Sequence, residues 1–269
     1  MNIRASISPP SQSPKTLAVI FRPAHKIANT KKMNKILLLL NIVLLSSCNG
    51  QTNNVTENYS QKVEYGLKGN VKEMKKYVCK VENNKIPLDT TNFFRSYIKT
   101  FDEDGNSIEY NFSNKNEKNT IYIKMIFSGK SKDISYKEIV SFDKQKKEEK
   151  EYKYVWLNDF TYKIVDINDE NYSQTQTIKL NKEFSIIEDN FKQGDYESLE
   201  KREIIAKNNK IEKIKSTITT KTDDKTDISY HIEVVKKYDK YDNPTIIYIY
   251  NTLDEKQLSD VVFQEYIYY

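Results

Sequence analysis

Ile121-Tyr122-Ile123-Lys124-Met125-Ile126-Phe127 decides how this chain is read, because Ile121, Ile123, Met125 and Phe127 alternate with Tyr122 and Lys124. A period of two sends successive side chains to opposite faces of a strand, one face meeting a core and the other water. The same period recurs on either side. Ile134 and Tyr136 continue it through Val140 and Phe142, and Tyr152, Tyr154 and Trp156 alternate with Lys153 and Val155. Ile228, Tyr230, Ile232 and Val234 stand opposite Ser229, His231 and Glu233. Val, Ile, Thr, Tyr and Phe fill these runs, the residues that suit a pleated, half-buried surface. No stretch of helical length places apolar residues at i, i+3, i+4 and i+7. Lys144–Tyr154 has helix-forming composition, but its aromatics alternate, so it reads as a charged hairpin end running into a strand.

Turn signals separate the alternating runs: Asn83-Asn84-Lys85, Asp102-Glu103-Asp104-Gly105-Asn106, Lys207-Asn208-Asn209-Lys210 and Asp242-Asn243-Pro244. Asn, Asp and Gly tolerate the positive φ that tight hairpins need. Roughly a dozen strands joined by short turns predict an all-β antiparallel meander, built as a twisted sheet, a sandwich or a partly open barrel. Parallel crossovers would need helices, and the pattern offers none.

The N-terminal region obeys different rules. Met33-Asn34-Lys35 precedes a mostly apolar run, Ile36–Leu45, and Leu45-Ser46-Ser47-Cys48 closes it. The run is too short to span a bilayer and has the length of a secretory h-region. Its end resembles the lipobox of bacterial lipoproteins. That resemblance implies cleavage before Cys48, acylation of Cys48, and a lipid anchor in the outer membrane, on its periplasmic face or at the cell surface. Residues 1–47 are then leader and signal peptide, with Met33 the expected true start, because the 32 residues ahead of it hold four prolines and no acid. Residues 48–61 are the lipidated cysteine and a polar tether, and 62–269 are expected to form a single β-rich domain.

Setting the leader aside reverses the charge. It carries seven of the 43 basic residues and none of the 38 acidic ones, so the remainder is slightly acidic, whereas the whole chain is formally +5. Beyond the leader only Arg95 and Arg202 are arginines, so the forked guanidinium contacts that read phosphate and guanine are nearly missing. Nucleic acid is excluded as a partner on that ground.

Phe101-Asp102-Glu103-Asp104-Gly105-Asn106 and Tyr238-Asp239-Lys240-Tyr241-Asp242-Asn243 share an aromatic-Asp pair at a strand end and an Asn opening the next strand. Phe142-Asp143-Lys144 and Val165-Asp166-Ile167-Asn168-Asp169 are weaker copies at irregular spacing. With Gly66-Leu67-Lys68-Gly69-Asn70-Val71-Lys72 ahead of them, these turns resemble Bacteroidota-type lipoproteins with YD (RHS-like) β-hairpin repeats. Gly105-Asn106 matches the repeat's Gly-Asn, and Asp242 stands where the second copy would have Gly. The resemblance implies an array of β-hairpins on an envelope lipoprotein and carries no active site.

Candidate chemistry is sparse. Cys79 is the sole cysteine after Cys48 and sits in a strand-like segment, which makes it a buried structural thiol. His231 is the sole histidine after the leader, short of the partners that a triad or a zinc site requires, and reads as polar strand surface. Asp102, Asp104 and Asn106 alternate like the start of an EF-hand loop, but Ser107 and Ser113 occupy the positions that need Gly and Glu. No catalytic residue, metal or cofactor is assigned. All 20 tyrosines follow Cys48. The stripe Tyr152, Tyr154, Trp156 is the candidate ligand-binding surface, since an exposed aromatic row suits glycan stacking or protein contact, whereas a buried one is ordinary sheet packing. The expected function is a non-catalytic binding or interaction domain held to the membrane by its lipid, with an envelope protein or a glycan as partner. The alternatives are a glycan-binding or carbohydrate-active lipoprotein and an immunity-type lipoprotein.

Overall fold

The computed structural model describes residues 59–269 except 84, 117, 118, 144, 170–173 and 224, and omits the side chains of 146 and 147. The expected signal segment and Cys48 lie outside the described residues. Among the described residues, one turn of helix, α1 (Gln61–Glu64), precedes fourteen strands. They are β1 (Val71–Lys80), β2 (Arg95–Phe101), β3 (Ser107–Lys115), β4 (Thr120–Lys130), β5 (Asp133–Phe142), β6 (Gln145–Asn158) and β7 (Thr161–Asp166). Then come β8 (Gln174–Leu180), β9 (Ile186–Gln193), β10 (Tyr196–Lys207), β11 (Lys210–Thr222), β12 (Lys225–Tyr238), β13 (Pro244–Tyr250) and β14 (Leu258–Tyr268). Each strand pairs antiparallel with its neighbours in sequence, and β14 returns to β1, with Val71 opposite Tyr268 and Val78 opposite Val262. The meander is therefore a closed barrel, which leaves no free sheet edge among the described strands. The charged stretch 145–154 is part of β6, paired with β5.

Alternation assigns the two faces. On β4, Met125 and Phe127 pack into the core while Lys124 points outward to Glu109 at 2.7 Å. Further outward pairs are Lys179–Glu188 at 2.6 Å, Lys192–Glu197 at 3.1 Å and Lys215–Glu203 at 3.5 Å. Rows of ion pairs on the outer wall are what a lipid-facing band would not tolerate. Among the described residues no helix is long and apolar enough to cross a membrane.

Hairpins of an antiparallel barrel turn alternately at its two ends, so the turns after β2, β8 and β12 lie at the end where β1 begins. All three have one construction. Asp102 N–H donates to the Asn106 carbonyl at 2.8 Å, Gly105 N–H donates to the Asp102 carbonyl at 3.0 Å, and the Asp102 carboxylate accepts from Asn106 N–H at 2.7 Å. Asp239–Asn243 repeats these bonds at 2.9, 3.2 and 2.9 Å, and Asn181–Ser185 at 2.9, 3.0 and 2.8 Å. The fourth residue takes positive φ each time: Gly105 at 86°, Asp242 at 67° and Phe184 at 61°. Asp242 thus does in its turn what Gly105 does in the first. Phe184 adopts a conformation that bulky residues disfavour, and burial of its ring against Tyr59 and Phe160 compensates. The weaker copies at Asp143 and Asp166 are other turns at the opposite end, where Asp143 bonds Thr120 N–H and Asp166 bonds Asn168 N–H.

The end where β1 begins is stoppered by residues 59–70. The tether was expected to run to Gln61, but Tyr59, Ser60 and Gln61 are already buried. Lys62 N–H donates to the Gly105 carbonyl at 3.0 Å, and the Gln61 side chain accepts from Ser107 N–H at 3.1 Å. Asn243 closes both backbone groups of Lys68, accepting from its N–H at 2.8 Å and donating to its carbonyl at 2.9 Å. Space is tight: a Cβ on Gly105 would stand 2.8 Å from the Ser60 hydroxyl. Cys79 is buried on the outer side of β1, its thiol directed at the Asp89 carbonyl at 3.6 Å.

Candidate functional site

The lumen is filled unevenly. Between β4 and β9 it is packed with aromatic and aliphatic side chains. Tyr136 stacks on Tyr152 at 5.0 Å, Tyr154 stacks on Tyr162 at 4.6 Å, and Trp156 meets Tyr59 of the stopper edge-on at 4.8 Å. The candidate stripe Tyr152, Tyr154, Trp156 therefore lies on the inner face of β6, in the packed half of the barrel. It does not border the cavity described next.

Between β10 and β14, and across β1 to β3, the lumen holds a cavity of about 480 Å³. Its ceiling is the stopper, through Glu64, Tyr65, Gly66 and Leu67. Ile204, Ile214, Ile218, Val235 and Ile247 supply apolar wall. Set into that wall is a belt of charge. Because a strand repeats every two residues, Glu200 and Arg202 share one face of β10, and His231 and Glu233 share one face of β12. Arg202 grips Glu200 with two bonds of 2.8 Å each. His231 Nε2 lies 3.2 Å from Glu233 Oε1, and the Lys76 ammonium of β1 lies 3.7 Å from the same oxygen. Gln176 donates to both oxygens of Asp189, at 2.9 and 2.8 Å, beside Arg202.

These environments set the charges. Burial would push Glu233 up, but Lys76, His231 and Arg202 together hold it down at about 2. Burial acts on Glu200 in the same way and is outweighed by the Arg202 clamp, leaving its carboxyl below the usual range. Asp189 goes the other way, because burial exceeds the help of Gln176 and Arg202. Glu64, at the ceiling, accepts from the Tyr59 hydroxyl at 2.5 Å and the Tyr162 hydroxyl at 2.8 Å. Burial raises its pKa in spite of these bonds and of the nearby Lys99. Lys99 is itself buried, with its ammonium 2.8 Å from the Tyr65 hydroxyl and 5.3 Å from the centre of the Phe127 ring.

Alternation in the sequence selected the packed tyrosines and passed over the belt. His231, read as polar surface, faces the lumen next to Glu233. Glu200 and Arg202 were camouflaged, since Leu199-Glu200-Lys201-Arg202-Glu203-Ile204 puts charge on both faces of β10. Among the described residues, no group of three or more His, Cys, Asp and Glu side chains is arranged to hold a metal ion. Compared with protein-family models, curated proteins and solved structures, the chain matches none.

Proposed function

We propose that this chain is an outer-membrane lipoprotein, anchored through Cys48, whose barrel is a non-catalytic binding module that holds a small molecule in its lumen. The cavity of about 480 Å³ carries the proposal. It falls in the size range of ligand sites and combines an apolar wall with a few convergent polar groups, as such sites do. The lipobox-like Leu45-Ser46-Ser47-Cys48 supports the anchor, and the charged outer wall suits a barrel that stands off the membrane. Glu200 and Glu233 are both held down by cations, whereas a general acid or base works best with a pKa near the working pH, so these two are suited to fixing charge in the site rather than to exchanging protons.

Native mass spectrometry of the protein taken from its own membranes tests this. A non-covalent small-molecule adduct should accompany the wild type and be lost when Ile214→Trp fills the cavity. An adduct-free wild type, or an adduct that survives Ile214→Trp in a folded protein, would refute the proposal. Cys48→Ser should move the protein from the detergent phase to the aqueous phase, since acyl chains supply the membrane affinity. Unchanged partitioning would remove the anchor.

A further inference from the structure

Building on the lumen as a binding chamber, we infer that its ligand is an amphipathic carboxylate, with the head group held by Lys76, Gln264 and Tyr97 and the aliphatic body laid against the isoleucine wall. The register places these three side by side. Gln264 of β14 opposes Lys76 of β1, Lys76 in turn opposes Tyr97 of β2, and all three line the cavity. An ammonium, a carboxamide and a phenol on three neighbouring strands form a row of hydrogen-bond donors. The Tyr266 hydroxyl lies 2.8 Å from the Pro244 carbonyl and 2.9 Å from the Gln264 side-chain oxygen, which fixes the carboxamide at the cavity wall.

Lys76 is the loosely held cation of the belt. Its 3.7 Å separation from Glu233 exceeds the roughly 2.7–2.9 Å of a charge-assisted hydrogen bond. Arg202, by contrast, is closed on both oxygens of Glu200. A ligand carboxylate can draw the Lys76 ammonium the short distance away from Glu233, which keeps His231 at 3.2 Å and Arg202 nearby. Other charge types fit less well. A cationic head would have to displace Arg202 from Glu200, or Lys76 and His231 from Glu233. A neutral head would leave Lys76 as it stands and gain no charge-assisted bond.

Isothermal titration of the full chain carrying Cys48→Ser tests the inference, with dodecanoate, dodecanol and dodecyltrimethylammonium as probes below their micelle concentrations. Dodecanoate should bind tightest. Lys76→Met should weaken it by about tenfold or more, the value of one charge-assisted hydrogen bond, and leave dodecanol within about twofold. Lys76→Arg should keep most of the dodecanoate affinity. If Lys76→Met does not fold, Gln264→Met, which touches no ion pair, should weaken dodecanoate by about threefold or more, a floor set by the least that one hydrogen bond contributes. Dodecanoate that binds no tighter than dodecanol, or ignores these variants, would overturn the carboxylate assignment while leaving the chamber intact, provided that Ile214→Trp abolishes binding. Failure of all three probes to bind, or binding untouched by Ile214→Trp, would overturn the chamber as well.

Discussion

Replacing Asn243 with alanine should loosen the stopper without dismantling the turn that carries it. Asn243 is fully buried, and its side chain makes three hydrogen bonds: from Lys68 N–H at 2.8 Å, to the Lys68 carbonyl at 2.9 Å and to the Tyr268 hydroxyl at 2.8 Å. The turn itself uses only the backbone of Asn243, through Asp239, and so survives the substitution. Three bonds at about 1 kcal/mol each put the loss near 3 kcal/mol, with the orphaned Lys68 groups working against any recovery. Urea unfolding of the full chain carrying Cys48→Ser measures the loss, and hydrogen exchange at the Lys68 amide shows where it falls. The midpoint should drop and Lys68 should lose protection, while amides in β5 and β6 keep theirs down to the global limit. A loss below about 1 kcal/mol with Lys68 still protected would refute the clamp.

Gly129 has φ of 88°, and an added Cβ would sit 1.9 Å from the Asp133 carbonyl, so Gly129→Ala must break the β4–β5 hairpin. Its cost should be at least about 2 kcal/mol in the same urea assay. Glu233 ionises at about 2 in the fold against an ordinary 4.5, so its stabilisation is present above 4.5 and disappears as pH falls toward 2. Glu233→Gln should therefore flatten the acid limb of the midpoint-versus-pH curve. Glu64 has the opposite sign: with its pKa raised above 4.5, its stabilisation is complete below 4.5 and fades as pH rises through the folded value. Glu64→Gln should remove that decline, and an unchanged slope would contradict its burial. The Cys79 thiol, pushed up by burial, should react with a thiol reagent at the rate of unfolding, and rapid labelling of the native protein would place it at the surface.

What the sequence disclosed and what it hid divide along physical lines. Strand identity is local, and Ile121–Phe127 or Tyr152–Trp156 announce it by period alone. Closure is not local, because it rests on Val71 meeting Tyr268 across nearly all of the described residues, and no short-range pattern encodes that pairing. The turn motif was legible at Asp102 and Asp239 from their matching Asp and Asn. The third copy was not, since Asn181-Lys182-Glu183-Phe184-Ser185 keeps the hydrogen bonds while changing both end residues and the one at positive φ. The belt was hidden for a related reason. A lumen that holds a cavity with a belt of charge accepts Lys76, Arg202 and Glu233 on its inner face while lysines and glutamates cover the outer one. The binary pattern, which identifies an inner face by its lack of charge, is erased in those strands.

Isoleucine methyl resonances locate a ligand most directly, because isoleucines mark both faces of the barrel. Ile204, Ile214, Ile218 and Ile247 line the cavity, whereas Ile126, Ile228 and Ile267 stand exposed. Titrating dodecanoate into the methyl-labelled protein should shift the first four in one saturable process and leave the other three in place. Shifts confined to Ile126, Ile228 and Ile267 would contradict a hollow barrel that binds within its lumen, and no shift with dodecanoate, dodecanol or dodecyltrimethylammonium would contradict it equally.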